Sequence, residues 1–326
     1  MRRMAILEAD GLRKHFNGIV AVDGVSFAVA EGSVFGFLGP NGAGKTTTIN
    51  MLTGLARPTA GRILYEGNDV TDRLKQAQHL MGVVPDESNL YPELTGFENL
   101  CFCAALYGLA KAEREARAHR LLESFGLTEA AGRKFAGYSK GMKRKLAIAA
   151  GIIHAPRILF LDEPTAGIDV ASARNIRQLI DELRRGGTTI FLTTHYIEEA
   201  ERLCDRIAFI VKGRIVRIDD VAALLKPIQD RYVTAFTARG VTPALVESLR
   251  AAFPHLDFEI QPSDQLRAES AAPITIGPIV RFFEEQGHEV TEARRVQPSL
   301  EEVFVRLTGI ESAAMKKEKE KQGGGA

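Results

Sequence analysis

The sequence has 326 residues, 45% of them hydrophobic and 25% charged, with a formal net charge of +1. That length predicts about two domains, each able to bury a core. The near-neutral balance lacks the basic excess of a nucleic-acid binder, so no nucleic-acid partner is expected.

In chain order, β-branched runs at Ala5–Ala9, Val20–Val29, Ser33–Leu38, Arg62–Tyr65 and Met81–Val84 predict strands, interrupted by a helix at Lys45–Thr53. Helical patterns follow at Gly96–Tyr107, Lys111–Phe125 and Gly141–His154. Strands at Arg157–Leu161, Thr188–Thr194, Arg206–Val211 and Arg214–Ile218 then alternate with helices at Ala171–Arg184 and Ile197–Leu203. Apolar strands alternating with helices predict a mainly parallel α/β sheet. The strands before Gly32 alternate more clearly and predict an antiparallel portion with one solvated face. The pattern restarts near Lys226-Pro227, with strands at Arg231–Thr237, Asp257–Ile260, Gln265–Glu269 and Glu289–Val296 and helices at Pro243–Phe253, Ile274–Gln286 and Ser299–Leu307. The expected division is a first domain over 1–225, a small α+β domain over 226–311, and a charged, Gly-rich tail over 312–326 that cannot bury apolar surface. Cys101, Cys103 and Cys204 match no zinc spacing and read as free thiols of a reducing compartment. No stretch approaches the ~18 apolar residues of a membrane helix, and Glu8 and Asp10 interrupt any signal-peptide core. The polypeptide is expected to be soluble or peripheral.

Gly39-Pro-Asn41-Gly42-Ala43-Gly44-Lys45-Thr46 fits G-x-x-x-x-G-K-[ST], between an apolar strand and a helix that continues with Thr47. The glycines let backbone N–H groups turn inward around phosphate oxygens, and the helix start adds its positive dipole end. Lys45 supplies a cation to the phosphates and Thr46 a hydroxyl to Mg²⁺. The cofactors expected are therefore ATP and Mg²⁺. Ile158-Leu-Phe-Leu-Asp162-Glu163 is an apolar strand ending in two carboxylates. Desolvating two acids is costly, so they are expected to serve the site, Asp162 at the metal and Glu163 on the attacking water.

Further motifs in order give the chain a resemblance to the ABC ATPase family over about residues 4–225. Tyr138-Ser139-Lys140-Gly141-Met142 is similar to the family signature, Ala166-Gly-Ile-Asp169 to its D-loop, and Thr193-Thr194-His195 to its switch histidine. Phe16 stands where the family has its adenine-stacking aromatic, with core packing the alternative. The resemblance implies a P-loop NTPase core with an antiparallel β portion and a helical signature subdomain. It also implies that Ser139, Gly141 and Asp169 meet nucleotide held by a second copy, so that ATP joins a homodimer. His195 would then register the γ-phosphate, as a catalytic residue beside Glu163 and Lys45. Two departures stand out. Asp86 occupies the place of a family Gln that contacts the metal, and the signature carries Lys140 and Met142 instead of Gly and Gln.

Pro298-Ser-Leu-Glu-Glu-Val-Phe-Val-Arg-Leu-Thr-Gly309 resembles the closing segment of bacterial export ATPases of the daunorubicin-resistance and nodulation-factor type. Read alone, it is an amphipathic helix with Ser299 as N-cap and Leu300, Val303, Phe304 and Leu307 as its stripe. The resemblance implies an export motor at the cytoplasmic face of the membrane, serving separate integral-membrane permease subunits. Leu90, Tyr91, Leu94 and Phe97 in the segment Asp86–Glu98 would line the permease's groove, or else fold into the local core. The alternative class is a soluble ABC ATPase of translation or DNA maintenance. Ser139 follows Lys45 too closely to admit the long coiled coil of the DNA-repair type, and the translation type carries two ATPase units where one phosphate loop stands here. A small-molecule kinase would explain neither the signature nor His195.

Overall fold

The computed structural model describes residues 4–229, 231–261, 265–296 and 299–310. Strands β1 (Ala5–Phe16) and β2 (Ile19–Ala30) form a hairpin that runs further than the alternation predicted. Asn17 and Gly18 turn it, with φ of 45° and 83°, the two consecutive positive φ values of the tight turns that match strand twist. β3 (Val34–Leu38) leads through the Gly-rich loop into α1 (Lys45–Thr53). β4 (Ala60–Tyr65) and β5 (Asn68–Asp69) complete a four-stranded antiparallel sheet of order β2-β1-β4-β5.

The chain next forms β6 (Met81–Val84) and three helices, α2 (Gly96–Leu106), α3 (Lys111–Ser124) and α4 (Lys140–Ile152). It then alternates through β7 (Ile158–Asp162), α5 (Val170–Arg185), β8 (Thr189–Thr194), α6 (Ile197–Leu203), β9 (Arg206–Val211) and β10 (Arg214–Asp220). The second sheet has the order β10-β9-β3-β8-β7-β6 and is parallel except for β10. Every residue of β3, β7 and β8 is buried, as expected where a parallel sheet is covered on both faces. The two sheets meet through aromatic rings: Phe27 of β2 lies 5.3, 5.6 and 5.7 Å from Phe35, Phe37 and Phe191.

By its contacts the chain divides into a first unit that runs to Val221 and takes in the described residues from Leu307 on, and a second unit, Ala222–Arg306. The expected restart at Lys226-Pro227 gives way to a helix, α7 (Val221–Gln229), that runs through both residues. In the second unit β11 (Tyr232–Ala238), β12 (Asp257–Gln261), β13 (Gln265–Ser270) and β14 (Val290–Val296) pair antiparallel in the order β12-β13-β11-β14. The helices are α8 (Pro243–Ala252), begun by a Thr242 cap and a proline, α9 (Ile276–Glu285) and α10 (Leu300–Thr308). Phe236, Leu249, Leu266 and Phe283 fill its core. In α10, Leu300, Val303 and Phe304 are buried, whereas Leu307 is 41% exposed and leaves the expected stripe. Residues 312–326 lie outside the described residues. Among the described residues no helix is long and apolar enough to cross a membrane.

One contact fixes how the helical region meets the parallel sheet. A Cβ on Gly82 of β6 would lie 2.1 Å from the carbonyl oxygen of Gly151 on α4. Gly82→Ala should therefore push α4 off β6 and destabilise the chain by about 1–3 kcal/mol, the cost of overpacking a tight core. Urea unfolding followed by circular dichroism checks this, the midpoint falling relative to wild type.

Candidate active site

The carboxyl ends of β3, β6, β7 and β8 converge on one edge of the parallel sheet, where α/β folds place their ligands. β3 ends in the Gly-rich loop, whose glycines are required by close approach. A Cβ at Gly39 would lie 2.1 Å from the Ile210 carbonyl oxygen, and one at Gly44, at φ 105°, 2.6 Å from that of Ala21. Gly44 caps α1, whose first turn leaves backbone N–H groups pointing into the loop. A cavity of about 310 Å³ opens there, lined by Asn41, Gly42, Gly44, Lys45, Thr46 and Thr47, with Ala21, Asp86 and Glu163 opposite. Ala43 is buried beside it.

Lys45 is 6% exposed. Its Nζ donates to the carbonyl oxygens of Gly39 (2.8 Å) and Pro40 (3.2 Å) and lies 3.3 Å from Glu163 Oε1. Thr46 Oγ1 donates to Asp162 Oδ2 at 2.8 Å, and Thr193 Oγ1 donates to Asp162 Oδ1. His195 Nδ1 lies 2.7 Å from Glu163 Oε2, and the Glu163 N–H donates to the Thr193 carbonyl at 3.1 Å. Burial raises the Asp162 carboxyl above the ordinary carboxylate range, against the hydrogen bonds from Thr193 and Thr46. Burial also acts to raise Glu163, but hydrogen bonding with His195 and the charge of Lys45 outweigh it and hold this carboxyl below its ordinary value. The site thus pairs an ionised acid with a fixed cation beside a donor-lined anion cradle. That arrangement can bind a polyphosphate and place a base against it.

Ser139, Gly141, Asp169 and Phe16 do not line this cavity. Ser139 caps α4, its hydroxyl accepting from Met142 N at 3.2 Å. Asp169 caps α5, accepting from the Ser172 N–H (2.8 Å) and hydroxyl (2.7 Å), bonds that lower its pKa. Gly141 packs on that same serine: a Cβ there would lie 2.3 Å from Ser172 Oγ. The two helix starts therefore form one face, with Val170 84% exposed beside them. Phe16 is 47% exposed, with Lys14 Nζ 4.7 Å from its ring centroid, and so is no core residue.

A family model described as ABC transporter matches residues 22–166. The linearmycin resistance ATP-binding protein of Bacillus subtilis (strain 168) is 36% identical over 306 residues, covering 93% of this chain and 98% of its own. The chain belongs to the ABC transporter ATP-binding proteins. This ABC ATPase is also 35% identical over 308 residues to the Nod factor export ATP-binding protein I of Burkholderia orbicola (strain AU 1054), covering 94% of the chain and 98% of that protein. A solved ATP-binding subunit of an ABC transporter superposes with TM-score 0.62 at 31% identity, over 68% of this chain and 93% of that one. A dimeric cassette in a post-hydrolysis state with ADP and Pi matches with TM-score 0.60 at 27% identity, over 66% and 98% of the two chains. The chain is accordingly a nucleotide-binding, ATP-hydrolysing subunit.

The oxygen set of Thr46 and Asp162 is of the hard kind that Mg²⁺ prefers, and an acid raised by burial gains from a cation. Among the described residues no group of three or more His, Cys, Asp or Glu is placed to hold a metal ion. Asp86, at the end of β6, faces the same cavity and is bound through its carbonyl and carboxylate to Arg144 Nη2, at 2.7 and 3.4 Å. Sequence reasoning passed over Arg144 and Glu199, and gave no role to Thr193, which it quoted only as part of the His195 motif. Glu199 is buried and accepts from Thr165 Oγ1 at 2.7 Å, behind the acid pair. Of the four apolar residues expected to form a groove after Asp86, Leu90 is buried, Leu94 and Phe97 half-buried, and Tyr91 exposed. The ring of Phe97 packs on His119 at 4.6 Å.

The depressed Glu163 pKa fixes a sign. Its ionised form contributes stability above the unfolded-state pKa, and this is lost as pH falls through the folded value. The difference in thermal midpoint between wild type and Glu163→Gln should therefore shrink, or turn against wild type, on acidification through the carboxylate range. Differential scanning fluorimetry over a pH series measures it, and a difference independent of pH would contradict the assignment.

Proposed function

We propose that this ATPase is the motor of an exporter, acting as a homodimer beneath separate membrane permease chains at the cytoplasmic face. The observation that carries the reading is the split site. Lys45, Thr46, Asp162 and Glu163 gather around one cavity, while Ser139, Gly141 and Asp169 stand on a separate face of helix N-termini. Such a face suits an anion that its own chain does not present to it. A second copy supplies that anion as its bound nucleotide, so ATP joins two chains. Export is the direction because relatives matched almost end to end bear the names of resistance and Nod factor export proteins.

In this reading Lys45 exchanges its contacts to Gly39, Pro40 and Glu163 for phosphate oxygens. Thr46 and Asp162, with Asp86 lining the same cavity, would hold Mg²⁺, which would supply positive charge against the phosphates. Glu163 accepts a proton from the attacking water, His195 orients Glu163 and reaches the γ-phosphate, and Phe16 stacks on adenine. Glu163→Gln should bind ATP but hydrolyse it ~10²–10⁴-fold more slowly, the range for loss of a general base. On a sizing column this variant should move from monomer to dimer with ATP and not with ADP, and adding Ser139→Arg should abolish the shift. Near-wild-type turnover in Glu163→Gln, or an oligomer indifferent to nucleotide, would sink the proposal.

The permease is proposed to dock on the apolar surface of the helical region. Tyr91 (50% exposed), Phe102 (39%) and Leu106 (71%) stand out there, with the Tyr91 and Phe102 rings 5.0 Å apart. The buried Asn99 grips the Tyr91 backbone through both its N–H (2.8 Å) and its carbonyl (3.0 Å), so the ring is presented from a fixed loop. The second unit, which carries no phosphate loop, is proposed to organise this assembly. A Tyr91→Cys variant should crosslink to a co-expressed membrane subunit, whereas Glu123→Cys on α3 should not. Equal labelling at both positions would show that docking lies elsewhere.

A further inference from the structure

Arg144 is a cation in the first turns of α4, 7% exposed, and its ion pair with the Asp86 carboxylate is long, at 3.4 Å. Its acceptors are mostly main-chain oxygens. Nη1 donates to the Pro85 carbonyl at 2.7 Å, and Nη2 to the carbonyls of Asp86 (2.7 Å) and Glu163 (3.2 Å), with Asp86 Oδ1 at 3.4 Å. These carbonyls belong to the two segments that leave β6 and β7. Burial lowers the Arg144 pKa, against the opposing charges of Asp86, Asp162 and Glu163. A well-packed apolar side chain would serve stability as well as a buried ion, so the guanidinium calls for another reason.

That reason lies in the Glu163 backbone. Glu163 has φ 49°, in the left-handed region that non-glycine residues seldom occupy. Such a conformation persists only where its surroundings over-determine it. The N–H of Glu163 is fixed by the Thr193 carbonyl at 3.1 Å, and its carbonyl accepts from both the Ala166 N–H (3.1 Å) and Arg144 Nη2 (3.2 Å), the second being the only one of these bonds that reaches it from α4. We propose that Arg144 is a positioning residue that holds Glu163 in its left-handed backbone conformation and so makes water activation depend on the seating of α4. Gly141 lies within a turn of Arg144, and Ser139, the N-cap, about one and a half turns before it, at the start of the same helix. The bond to the Glu163 carbonyl is the longest of the three carbonyl bonds, so a displacement of the α4 N-terminus loosens it first. A chain whose signature face is unseated therefore holds its own base loosely. Lysine cannot reproduce the brace, because one ammonium cannot match a planar fork across three carbonyls.

This inference rests on the proposed role of Glu163, and the test separates the two. The full chain is compared as wild type, Arg144→Lys, Arg144→Met, Glu163→Gln and Arg144→Met/Glu163→Gln, measuring kcat, KM, binding of a fluorescent ATP analogue, and Tm. Arg144→Met should lower kcat by ~10²-fold, the scale of misplacing a reacting group by an ångström, with analogue binding unchanged. Arg144→Lys should fall between it and wild type. In the Glu163→Gln background Arg144→Met should cause no further loss, since there is no base left to position. If Arg144→Met does not fold, Arg144→Lys decides, a reduced kcat at unchanged analogue binding supporting the proposal. Wild-type kcat in the folded Arg144 variants, a joint fall of kcat, binding and Tm, or an additive loss in the double variant would overturn it. Normal turnover in Glu163→Gln would instead overturn the reading beneath it.

Discussion

Two carboxylates at the end of one apolar strand set the terms for everything around them. Asp162 and Glu163 are 4% and 6% exposed, and an ionised carboxylate taken out of water must find charge and hydrogen bonds to compensate. Each neighbouring strand or helix supplies one part of that compensation. α1 contributes Lys45 and Thr46, β8 contributes Thr193 and then His195, and α4 contributes Arg144. Two buried acids thus face two buried cations, Lys45 and Arg144. Leaving one such charge without its partner costs about 3–5 kcal/mol, so the strand order and the site are mutually enforcing. The same pairing splits the two acids chemically. Asp162, bonded only by hydroxyls, is raised by burial, while Glu163, next to Lys45 and His195, stays ionised. Environments that push two neighbouring titrations apart assign them different work.

Main-chain geometry is the second constraint, and it is met in two ways. At Gly39 and Gly44 the loop passes so close to the Ile210 and Ala21 carbonyls that no side chain fits, and the sequence answers with glycine. At Glu163 a positive φ is needed together with a carboxylate, so glycine cannot serve and the conformation has to be imposed from outside. Such a residue costs of order 1–3 kcal/mol. It turns the carboxylate away from the run of β7 and toward Lys45 and His195.

Much of this was legible in the chain itself, because the chemistry clusters in short contiguous motifs. Gly39 to Thr46 carries a loop, a helix start and the phosphate-binding groups, and Ile158 to Glu163 a strand and the acid pair, each within eight residues or fewer; the motifs around Ser139, Asp169 and His195 then narrow the family. Arg144 was not legible. It sits in Lys143-Arg144-Lys145, a basic run that reads as a solvated helix face, and only the seating of α4 on β6 puts the middle residue inside. Asn99 was hidden likewise, since a polar residue in a helix pattern gives no hint that it faces a loop backbone. The hairpin end at Phe16 could have been read, because Asn17-Gly18 is a strong turn dipeptide that would have lengthened β1. The restart expected near Lys226-Pro227 falls inside α7, which runs through both residues. The apolar residues after Asp86 were grouped by composition. The structure sorts them by direction, because the Thr95–Glu98 capping box sets where α2 begins and hence which side chains point inward.

The signature face illustrates how one residue can serve fold and function without conflict. Ser139 uses an oxygen lone pair to accept the Met142 N–H and so caps α4. A hydroxyl that accepts still has its own proton to donate, so the cap leaves a donor available for an anion. Asp169 is in the opposite position. Both of its oxygens are engaged by Ser172, and its depressed pKa keeps it negative, which disfavours a bare phosphate. Asp169 thereby orders the start of α5 under Gly141 through Ser172. Gly141 requires that arrangement, since only a residue without Cβ can rest on the serine that Asp169 holds. The face is thus a small rigid assembly of two helix starts, with Ser139 presenting a free proton at its surface and Arg144 anchoring it below to the strand ends where Glu163 waits.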